Sequence, residues 1–376
     1  MNWTEHLQSS IEDKKARHLL RSLKPIDAPT DAHFIKDGAN YINFISNNYL
    51  GIANHPALKK ESMTWVEKWG TGSGGSRLLG GDKAYHHQLE EELQHWKNLP
   101  AVLLFNSGYN ANLSLGSICA QLGIEVFADR LNHASLWDGL LLGKTKWHRY
   151  HHLDYACLEE KLKQSHGPKA VFTESVFSMD GDLAPLQDLA QICQKHQALL
   201  VVDEAHSEGL YGPQGSGLTH ALDIDPNLLV VMGTFGKAMG SFGAYIGSSS
   251  LFKENLINLA RPFVYTTSLP ASVCGANFAA IQLVKNMDSA RAHLQGLQSY
   301  FHSLSSGKYQ GGSHILPIII GENQPTIELA QKLDENHILT QAVRAPTVPP
   351  GTARLRINLT ANHTQGDMET LWKHLQ

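Results

Sequence analysis

The sequence lacks any long apolar run. Its longest such runs are ALLVV (198–202), NLLVVM (227–232) and ILPIII (315–320). All three are far shorter than the roughly 20 apolar residues that a membrane-spanning helix needs. Residues 1–24 also lack the apolar central region of a secretory leader. We therefore expect neither a membrane protein nor an exported one, and we expect the chain to reside in the cytoplasm.

Basic charge is not in excess either. The chain has 31 lysines and arginines against 35 aspartates and glutamates, which gives a formal net charge of −4. Proteins that bind nucleic acids or anionic membranes usually present a basic surface. We therefore expect no nucleic-acid partner and no membrane partner. With 42% apolar and 18% charged residues, the composition is typical of a globular protein with a sizeable core.

Cysteine is scarce, since the 376 residues include only four. No two of them form a C-x-x-C pair, which argues against a disulfide framework and is typical of the cytoplasm. Histidine is abundant, with 21 residues, three of which fall in HRYHH (148–152). The i, i+4 geometry together with a carboxylate ligand, which a metal site would need, is not apparent in that stretch. We therefore predict a solvated loop there and no metal ion.

The length suits one large domain and a smaller one. Apolar residues at helical spacing predict an amphipathic helix over residues 1–24. A second helical pattern, longer than the first, covers residues 271–304. We predict an N-terminal helix and arm over 1–45, a large domain over 46–255 and a small α+β domain over 256–376.

Short apolar runs alternate with helical patterns inside the predicted large domain. The runs are AVLLF (101–105), EVFAD (125–129), KAVFTE (169–174), ALLVVDE (198–204), LLVVMG (228–233) and GAYIG (243–247). Strands that are apolar on both faces and separated by helices predict an α/β domain with a mostly parallel sheet. Such sheets bind ligands at the carboxyl ends of their strands, so we expect the functional site there.

Two glycine motifs fail the requirements of nucleotide sites. GTFGKA (233–238) resembles a phosphate loop, but that motif needs glycine where the chain has Val231 and a hydroxyl where it has Ala238. GTGSGG (70–75) has the spacing of a dinucleotide fingerprint, yet it follows a helical pattern instead of a strand. We interpret the second motif as a loop whose glycines let the backbone approach a ligand or partner.

Chemically useful side chains follow the predicted strands. The stretch 103–112 ends a strand and starts a helix, where free N–H groups suit a phosphate. His133 lies in a polar turn after the next strand. Asp203 follows four apolar residues, with His206 three residues later, and Lys237 comes at the exit of the following strand. A carboxylate buried at such a place needs a partner, and a cationic ring nitrogen would serve.

Lys237 has three interpretations: a phosphate-loop lysine, a solvated surface lysine, or a lysine whose amine bonds covalently to a ligand. The motif mismatch argues against the first. The predicted site offers a carboxylate, two imidazoles, a hydroxyl, a helix start that suits an anion, and a lysine. Pyridoxal 5'-phosphate (PLP) needs this set of groups. PLP forms a Schiff base with lysine, and a neighbouring carboxylate keeps its ring nitrogen protonated. From these residues alone, the surface and covalent interpretations both stay open.

Several motifs in order resemble the α-oxoamine synthases, PLP enzymes of fold type I. They include NHAS (132–135), DEAH (203–206) and TFGKA (234–238). The resemblance extends from NFISNNYLG (43–51) to APTVPPGTARLRINLT (345–360), which is nearly the whole chain. It implies the fold of PLP-dependent transferases of type I, with a mostly parallel central sheet flanked by helices and a smaller α+β C-terminal domain.

The resemblance also implies the residues that hold the cofactor. Lys237 would form the Schiff base and remove the Cα proton of the amino-acid substrate. Asp203 would pair with the pyridinium nitrogen, and His133 would stack on the ring and contact the substrate. The remaining implied cofactor contacts are Ser178 and His206 near the phenolic oxygen, and Gly108, Tyr109 and Thr234, partly at the phosphate.

Four further residues match substrate ligands of that family. Arg354 and Arg356 share one face of a predicted strand, and the second matches the ligand of the amino-acid carboxylate, with Asn47 assisting it. Thr352 and Arg21 match positions that contact the acyl substrate. The charge of Arg21 would suit a distal carboxylate.

Within the family, VFSMDGDLAPL (176–186) and PTVPPGTARLR (346–356) most resemble the members that act in biotin biosynthesis. The implied activity is that of a PLP-dependent acyltransferase. It would condense L-alanine with a pimeloyl thioester of coenzyme A or acyl carrier protein, with loss of CO2, to give 8-amino-7-oxononanoate and a free thiol. The family also implies a homodimer.

Two alternatives stay open. Other α-oxoamine synthases, such as 2-amino-3-ketobutyrate CoA ligase, use glycine or serine and different acyl-CoA donors. A non-catalytic partner subunit with the same fold is the other alternative. Such a subunit would be expected to lack the Schiff-base lysine, so the presence of Lys237 and Asp203 argues against it.

Overall fold

The computed structural model describes residues 2–23, 25–29, 31–309 and 311–376. Two compact units form. The small unit comprises Met1–Ser46, Met179–Gly181 and His293–Gln376, and the large unit comprises Asn47–Ser178 and Asp182–Ala292. The three-segment division made from the sequence stays a prediction; in the structure, residues 256–292 group with the large unit.

Strands and helices alternate along most of the chain. In chain order the strands are β1 (His33–Lys36), β2 (Ala39–Asn43), β3 (Ala101–Phe105), β4 (Glu125–Asp129), β5 (Trp147–Tyr150), β6 (Lys169–Glu174), β7 (Leu199–Asp203), β8 (Leu229–Thr234), β9 (Ala244–Ser248), β10 (Ile315–Gly321), β11 (Ile338–Leu339), β12 (Gln341–Val343) and β13 (Ala353–Asn358). The α-helices are α1 (Trp3–Ala16), α2 (Pro56–Trp69), α3 (Ala84–Lys97), α4 (Gly108–Gln121), α5 (Ala134–Gly143), α6 (Tyr155–Gln164), α7 (Leu186–Lys195), α8 (Ser250–Leu259), α9 (Arg261–Val264), α10 (Ala271–Val284), α11 (Asp288–Leu304), α12 (Asn323–Glu335) and α13 (Gln365–Leu375).

The large unit is built on a seven-stranded sheet with the order β3-β9-β8-β7-β6-β4-β5. Every neighbouring pair from β8 to β5 is parallel, whereas β9 runs antiparallel to both β8 and β3. This confirms the predicted α/β fold with a mostly parallel sheet. The carboxyl ends of the parallel strands meet at one edge of the sheet, and that edge carries the candidate site.

The central strands are buried on both faces, which explains their continuous apolar runs. Val201 and Val230 pack into one core together with residues of α4 and α5. Val202 and Val231 point the other way, into a second core that includes residues of α6 and α7. Alternate residues of one strand therefore hold helices on opposite faces of the sheet.

The small unit contains two three-stranded sheets, with the orders β1-β2-β11 and β10-β13-β12. Strand β13 runs antiparallel to both of its neighbours and is buried at every residue. Helices α12 and α13 complete an α+β arrangement in this unit. Among the described residues, no helix combines the length and the apolar character needed to cross a bilayer.

Two predicted helices differ in extent from those observed. The helix predicted over 1–24 ends at Ala16, because His18 adopts a left-handed φ of 53° and Leu19 N–H donates to Lys14 O, which closes the helix end. The helix predicted over 271–304 is two helices, α10 and α11. Asp288 begins the second one, and a carboxylate in a first turn stabilises a helix start.

Candidate active site

Three neighbouring strands end in polar residues at one edge of the large unit's sheet. Strand β6 ends at Glu174, β7 at Asp203 and β8 at Thr234. All three residues are buried. The predicted strand ends are therefore confirmed to within one residue, and they bring together side chains that lie 60 residues apart in sequence.

Lys237 lies in the turn that follows β8, and it is half-buried. The turn is held by Phe235 N–H, which donates to Gly243 O at 2.9 Å, and by Gly236 N–H, which donates to Thr234 Oγ1 at 3.2 Å. Gly240 has a φ of +64°, and a Cβ there would lie 2.6 Å from the backbone nitrogen of Ala53. Glycine is required at this position so that two backbone segments can approach each other.

A chain of hydrogen bonds runs from Lys237 to Asn47. Lys237 Nζ lies 2.6 Å from His206 Nε2, and His206 Nδ1 lies 2.7 Å from the hydroxyl of Tyr49. The Tyr49 hydroxyl donates to Asn47 Oδ1 at 2.9 Å, so it accepts from His206. This assigns the His206 proton to Nδ1 and leaves Nε2 as the acceptor for the Lys237 amine.

Asp203 is 6% exposed, and its carboxylate is hydrogen-bonded at both oxygens. Ala205 N–H donates to Oδ1 at 2.9 Å, and Asn112 Nδ2 donates to Oδ2 at 2.8 Å. Asn112 also donates to Ser135 Oγ at 2.9 Å, which fixes its amide. Hydrogen bonds of this kind favour the charged form of a buried carboxyl.

His133 is the N-cap of α5, where its ring accepts a hydrogen bond from Ser135 N–H. Its Nδ1 also lies 2.8 Å from Ser135 Oγ. The charges of both Asp203 and Lys237 act on the imidazole, so the three side chains share one site. The residue as a whole is exposed, so a flat ligand has access to it.

The first turn of α4 lies beside the end of β8. A Cβ built on Gly108 would lie 3.6 Å from the Met232 side chain and 3.9 Å from Thr234 Cβ. The N-cap Ser107 accepts a hydrogen bond from Asn110 N–H, which leaves other N–H groups of the first turn without helical acceptors. Such a helix start suits an anion. Tyr109 is exposed and donates to Asp138 Oδ2 at 2.7 Å.

Ser178 follows β6 and is buried. Its backbone N–H donates to Glu174 Oε2 at 3.1 Å. Burial and the negative charge of Asp203 raise the pKa of Glu174 well above its ordinary value. The large unit thus gathers most of the predicted cofactor residues at one sheet edge: Gly108, His133, Ser178, Asp203, His206, Thr234 and Lys237.

The other predicted substrate residues belong to the small unit. Arg354 forms an ion pair with Asp180 at 2.5 Å and donates to Met179 O. Arg356 lies on the same strand and is buried. Thr352 donates to Pro349 O, and the exposed Arg21 donates to Thr347 Oγ1 at 3.2 Å. That these residues bind substrate stays a prediction.

Sequence reasoning gave no role to Tyr49, Asn112, Ser135 or Glu174. Tyr49 lies in a stretch that the resemblance included, but only the folded chain shows that its hydroxyl orients His206. Asn112 is 91 residues from Asp203 in sequence, so no local pattern could join them. Glu174 and Asp203 each end an apolar strand, and that shared position was the one available signal for the pairing.

The residues present fit PLP. A carboxylate buried at a strand end suits a protonated ring nitrogen, a helix start suits a phosphate, and a half-buried lysine beside an imidazole suits a Schiff base. In the described part of the chain, no group of three or more histidine, cysteine or acidic side chains is arranged to hold a metal ion. The solvated loop predicted for HRYHH (148–152) is wrong for residues 148–150, which belong to β5, and His152 pairs with Asp129 and Asp182.

The sequence matches the family "aminotransferase class I and II" over residues 39–375. A relative from Methylococcus capsulatus, curated as 8-amino-7-oxononanoate synthase, is 42% identical over 98% of this chain and 96% of its own length.

Solved structures agree with that match. Serine palmitoyltransferase of Sphingomonas wittichii superposes with a TM-score of 0.91 at 28% identity, covering 100% of this chain and 97% of its own. The 8-amino-7-oxononanoate synthase of Francisella tularensis has a TM-score of 0.78 at 31% identity, covering 89% and 96%. Another serine palmitoyltransferase with a TM-score of 0.89 and 27% identity, covering 100% and 97%, was solved with PLP bound.

Proposed function

Because the chain belongs to the aminotransferase class I and II family, and within it to the 8-amino-7-oxononanoate synthases, we propose that it condenses L-alanine with a pimeloyl thioester. The products are 8-amino-7-oxononanoate, CO2 and a free thiol, and the reaction belongs to biotin biosynthesis. The enzyme depends on PLP, which acts as an electron sink for the carbanion formed at the substrate Cα.

One observation supports this proposal above the others. Lys237 Nζ lies 2.6 Å from His206 Nε2 at the sheet edge where β7 ends in Asp203. A surface lysine needs no such partner. An amine held against a neutral imidazole acceptor beside a buried carboxylate is placed for covalent bonding to a carbonyl and for proton transfer.

The cofactor residues divide by the part of PLP that each would hold. Asp203 would pair with the ring nitrogen, and its carboxylate is held in place by hydrogen bonds from Ala205 N–H and Asn112 Nδ2. His133 covers a ring face from the start of α5. Ser178 and His206 would lie near the phenolic oxygen, and Gly108, Tyr109 and Thr234 would contact the cofactor, partly at its phosphate.

Lys237 then acts as the base at the substrate Cα. Its amine must be neutral to take a proton, and His206 Nε2 accepts a hydrogen bond from it. The Tyr49 hydroxyl holds the His206 proton on Nδ1, so Nε2 keeps its lone pair toward Lys237. Tyr49 and Asn47 therefore set the tautomer that the proton transfer needs.

Arg356 is the proposed ligand of the alanine carboxylate. The family resemblance supports this choice over Arg354, its neighbour on the strand face, which pairs with Asp180 and donates to Met179 O. Thr352 and Arg21 are proposed contacts of the acyl substrate, with Arg21 at its distal carboxylate.

A homodimer in the cytoplasm is the proposed working form. The large unit exposes big apolar side chains, including Leu79 at 82%, Tyr265 at 72% and Phe242 at 55%. Such side chains mark a surface that a partner covers when they lie in one contiguous patch. Light scattering of the purified protein tests this, with a dimer mass expected; a monomer that is fully active would contradict it.

The test of function is thiol release by the PLP-loaded protein. L-Alanine with pimeloyl-CoA should release thiol, whereas glycine or serine with acetyl-CoA or palmitoyl-CoA should not. The variant Lys237→Ala should lower the rate by about 10³-fold or more. Turnover with glycine and a short acyl-CoA would instead indicate another α-oxoamine synthase. Failure with every acyl-CoA, but turnover with a pimeloyl carrier protein, would identify the carrier.

A further inference from the structure

Glu174 is a second buried carboxyl beside Asp203, and the family motifs give it no role. Strands β6 and β7 are parallel neighbours, and Glu174 and Asp203 are Cα partners in their register. Partners in register on adjacent strands direct their side chains to the same face of the sheet. Their exposed fractions are 2% and 6%. The site therefore places two carboxyl groups side by side, away from water.

The two carboxyl groups differ in their hydrogen bonds. Both oxygens of Asp203 accept, one from Ala205 N–H and one from Asn112 Nδ2. Glu174 Oε2 accepts from Ser178 N–H at 3.1 Å, whereas Oε1 is buried and has no partner among the described residues. Since an ionised carboxylate is stabilised by donors at both oxygens, the negative charge favours Asp203.

The surrounding charges favour the same assignment. Burial and the negative charge of Asp203 raise the pKa of Glu174 well above its ordinary value. The positive charge of Lys237 and the backbone N–H groups of Ser178 and His133 act in the opposite direction and are outweighed. Two adjacent buried carboxyl groups do not both ionise near neutral pH, so one of them retains a proton.

We propose that Glu174 is the neutral member of this buried carboxyl pair, and that it positions Ser178 beside the cofactor while Asp203 carries the pair's negative charge. The proposal rests on the proposed function through the identity of the cofactor. As a neutral acid, Glu174 accepts hydrogen bonds at one oxygen and offers an O–H at the other. That donor is available to an acceptor atom of a bound ligand.

The neutral state of Glu174 also matters for Lys237. A second negative charge in the site would stabilise the protonated amine, since opposite charges nearby favour the charged form. A protonated lysine can neither bond to a carbonyl nor accept a proton from the substrate. One negative charge at Asp203 is enough to pair with the ring nitrogen and leaves the amine easier to deprotonate.

A matched pair of neutral variants tests the assignment. In the full-length chain, Glu174→Gln keeps the volume and the acceptor for Ser178 N–H and removes no charge. Asp203→Asn makes the same change from acid to amide at the partner, and it removes the pair's negative charge. We expect apo Glu174→Gln to bind PLP within about threefold of the wild type and to keep the pH midpoint of the visible absorbance of lysine-bound PLP. Asp203→Asn should bind PLP at least about tenfold more weakly, the loss expected for a charged hydrogen bond.

A third variant tests the positioning role. Glu174→Leu keeps most of the volume but offers no acceptor to Ser178 N–H. It should weaken PLP binding by about tenfold and shift the pH midpoint of the visible absorbance. Thermal unfolding of the apoprotein checks that the variant is folded, and if it is not, Glu174→Ala replaces it. Wild-type PLP binding and an unshifted midpoint in the folded variant would overturn the positioning role.

The protonation state can be measured without the cofactor. Infrared difference spectra of the apoproteins at neutral pH, wild type minus Glu174→Gln, should show the carbonyl band of a protonated carboxyl. Absence of that band, or loss of PLP binding in Glu174→Gln equal to that in Asp203→Asn, would overturn the proposal. Failure of the wild type to bind PLP would instead count against the proposed function, which the infrared band does not depend on.

Discussion

At the scale of single residues, the Tyr49 hydroxyl decides which nitrogen of His206 faces Lys237. The hydroxyl donates to Asn47 Oδ1, so it can only accept from His206 Nδ1. His206 Nε2 is then left as an acceptor 2.6 Å from the Lys237 amine. Tyr49 is fully buried. If its hydroxyl were removed, water could not replace the lost hydrogen bonds to His206 and Asn47.

The variant Tyr49→Phe should lower kcat by about three- to tenfold, because one buried hydrogen bond of about 1 kcal/mol is lost and the His206 tautomer is no longer fixed. Steady-state kinetics over a range of pH measures this, and the basic limb of the profile should move. Tyr85→Phe is the matched control, since the buried hydroxyl of Tyr85 donates to Leu269 O and takes no part in the chain of hydrogen bonds from Lys237 to Asn47. An equal loss in both variants would contradict a specific role for Tyr49.

Glu208 is a second residue whose surroundings are informative. Its carboxyl accepts from Thr234 N–H at 2.8 Å and from the Tyr245 hydroxyl at 2.7 Å. Burial is the main cause that raises its pKa to about 7. Because Thr234 ends β8 just before the Lys237 turn, Glu208 ties the segment that carries Asp203 and His206 to that turn.

The raised pKa predicts a pH dependence of stability. A carboxyl whose folded pKa exceeds its unfolded pKa stabilises the protein most below the unfolded value of 4.5, and that contribution is lost as pH rises through about 7. Glu208→Gln should therefore flatten this fall, by up to ~3 kcal/mol between about pH 5 and about pH 8. Urea unfolding of the apoproteins measures it; parallel pH profiles for variant and wild type would refute the assignment.

At the scale of elements, His152 joins two loops that leave the sheet edge. Its Nδ1 lies 3.0 Å from Asp129 Oδ1 at the end of β4, and its Nε2 contacts Asp182 in the turn after Ser178. Asp129 also accepts from Leu131 N–H, at the start of the loop that carries His133. Hydrogen bonds to the two carboxylates outweigh burial and raise the pKa of His152 to about 9.

This raised pKa has the stability consequence expected of a histidine. The contribution is fully present below the unfolded value of 6.5 and is lost as pH rises through about 9. His152→Gln should destabilise the apoprotein by about 1–3 kcal/mol near pH 6, with the difference shrinking toward about pH 9.5. His148→Gln is the control, because the more exposed pair with Glu125 should contribute less than about 1 kcal/mol. Equal effects of the two variants would contradict a specific stabilising role for the contacts of His152 with Asp129 and Asp182.

The buried strands of the large unit were easier to predict than its outermost strand, β5. The buried strands of the large unit have continuous apolar runs, and each of the six predicted runs corresponds to a strand whose two ends lie within one residue of the expected ends. Strand β5 was missed because it is an outermost strand of the sheet, paired on one side only, and its sequence, WHRY, lacks an apolar run. Edge strands commonly bear charges, so their sequences look like loops.

At the scale of the whole molecule, sequence motifs predicted the cofactor and the lysine that is proposed to bond to it, and the folded chain showed the hydrogen bonds among the site's side chains. Asp203, His206 and Lys237 could be predicted as candidates because each lies at or shortly after the carboxyl end of a strand. Tyr49 and Asn112 could not be assigned their roles, since their partners lie 157 and 91 residues away. Long-range hydrogen bonds leave no local pattern in a single sequence.

The central claim is that Lys237 bonds covalently to PLP. Borohydride reduction of the PLP-loaded protein, followed by proteolysis and mass spectrometry, tests it most directly, because reduction turns the Schiff base into a stable pyridoxyl-lysine. We predict that the label is found on the peptide that contains Lys237 and is lost in Lys237→Ala. A label on any other lysine, or none on a protein that binds PLP, would contradict the account.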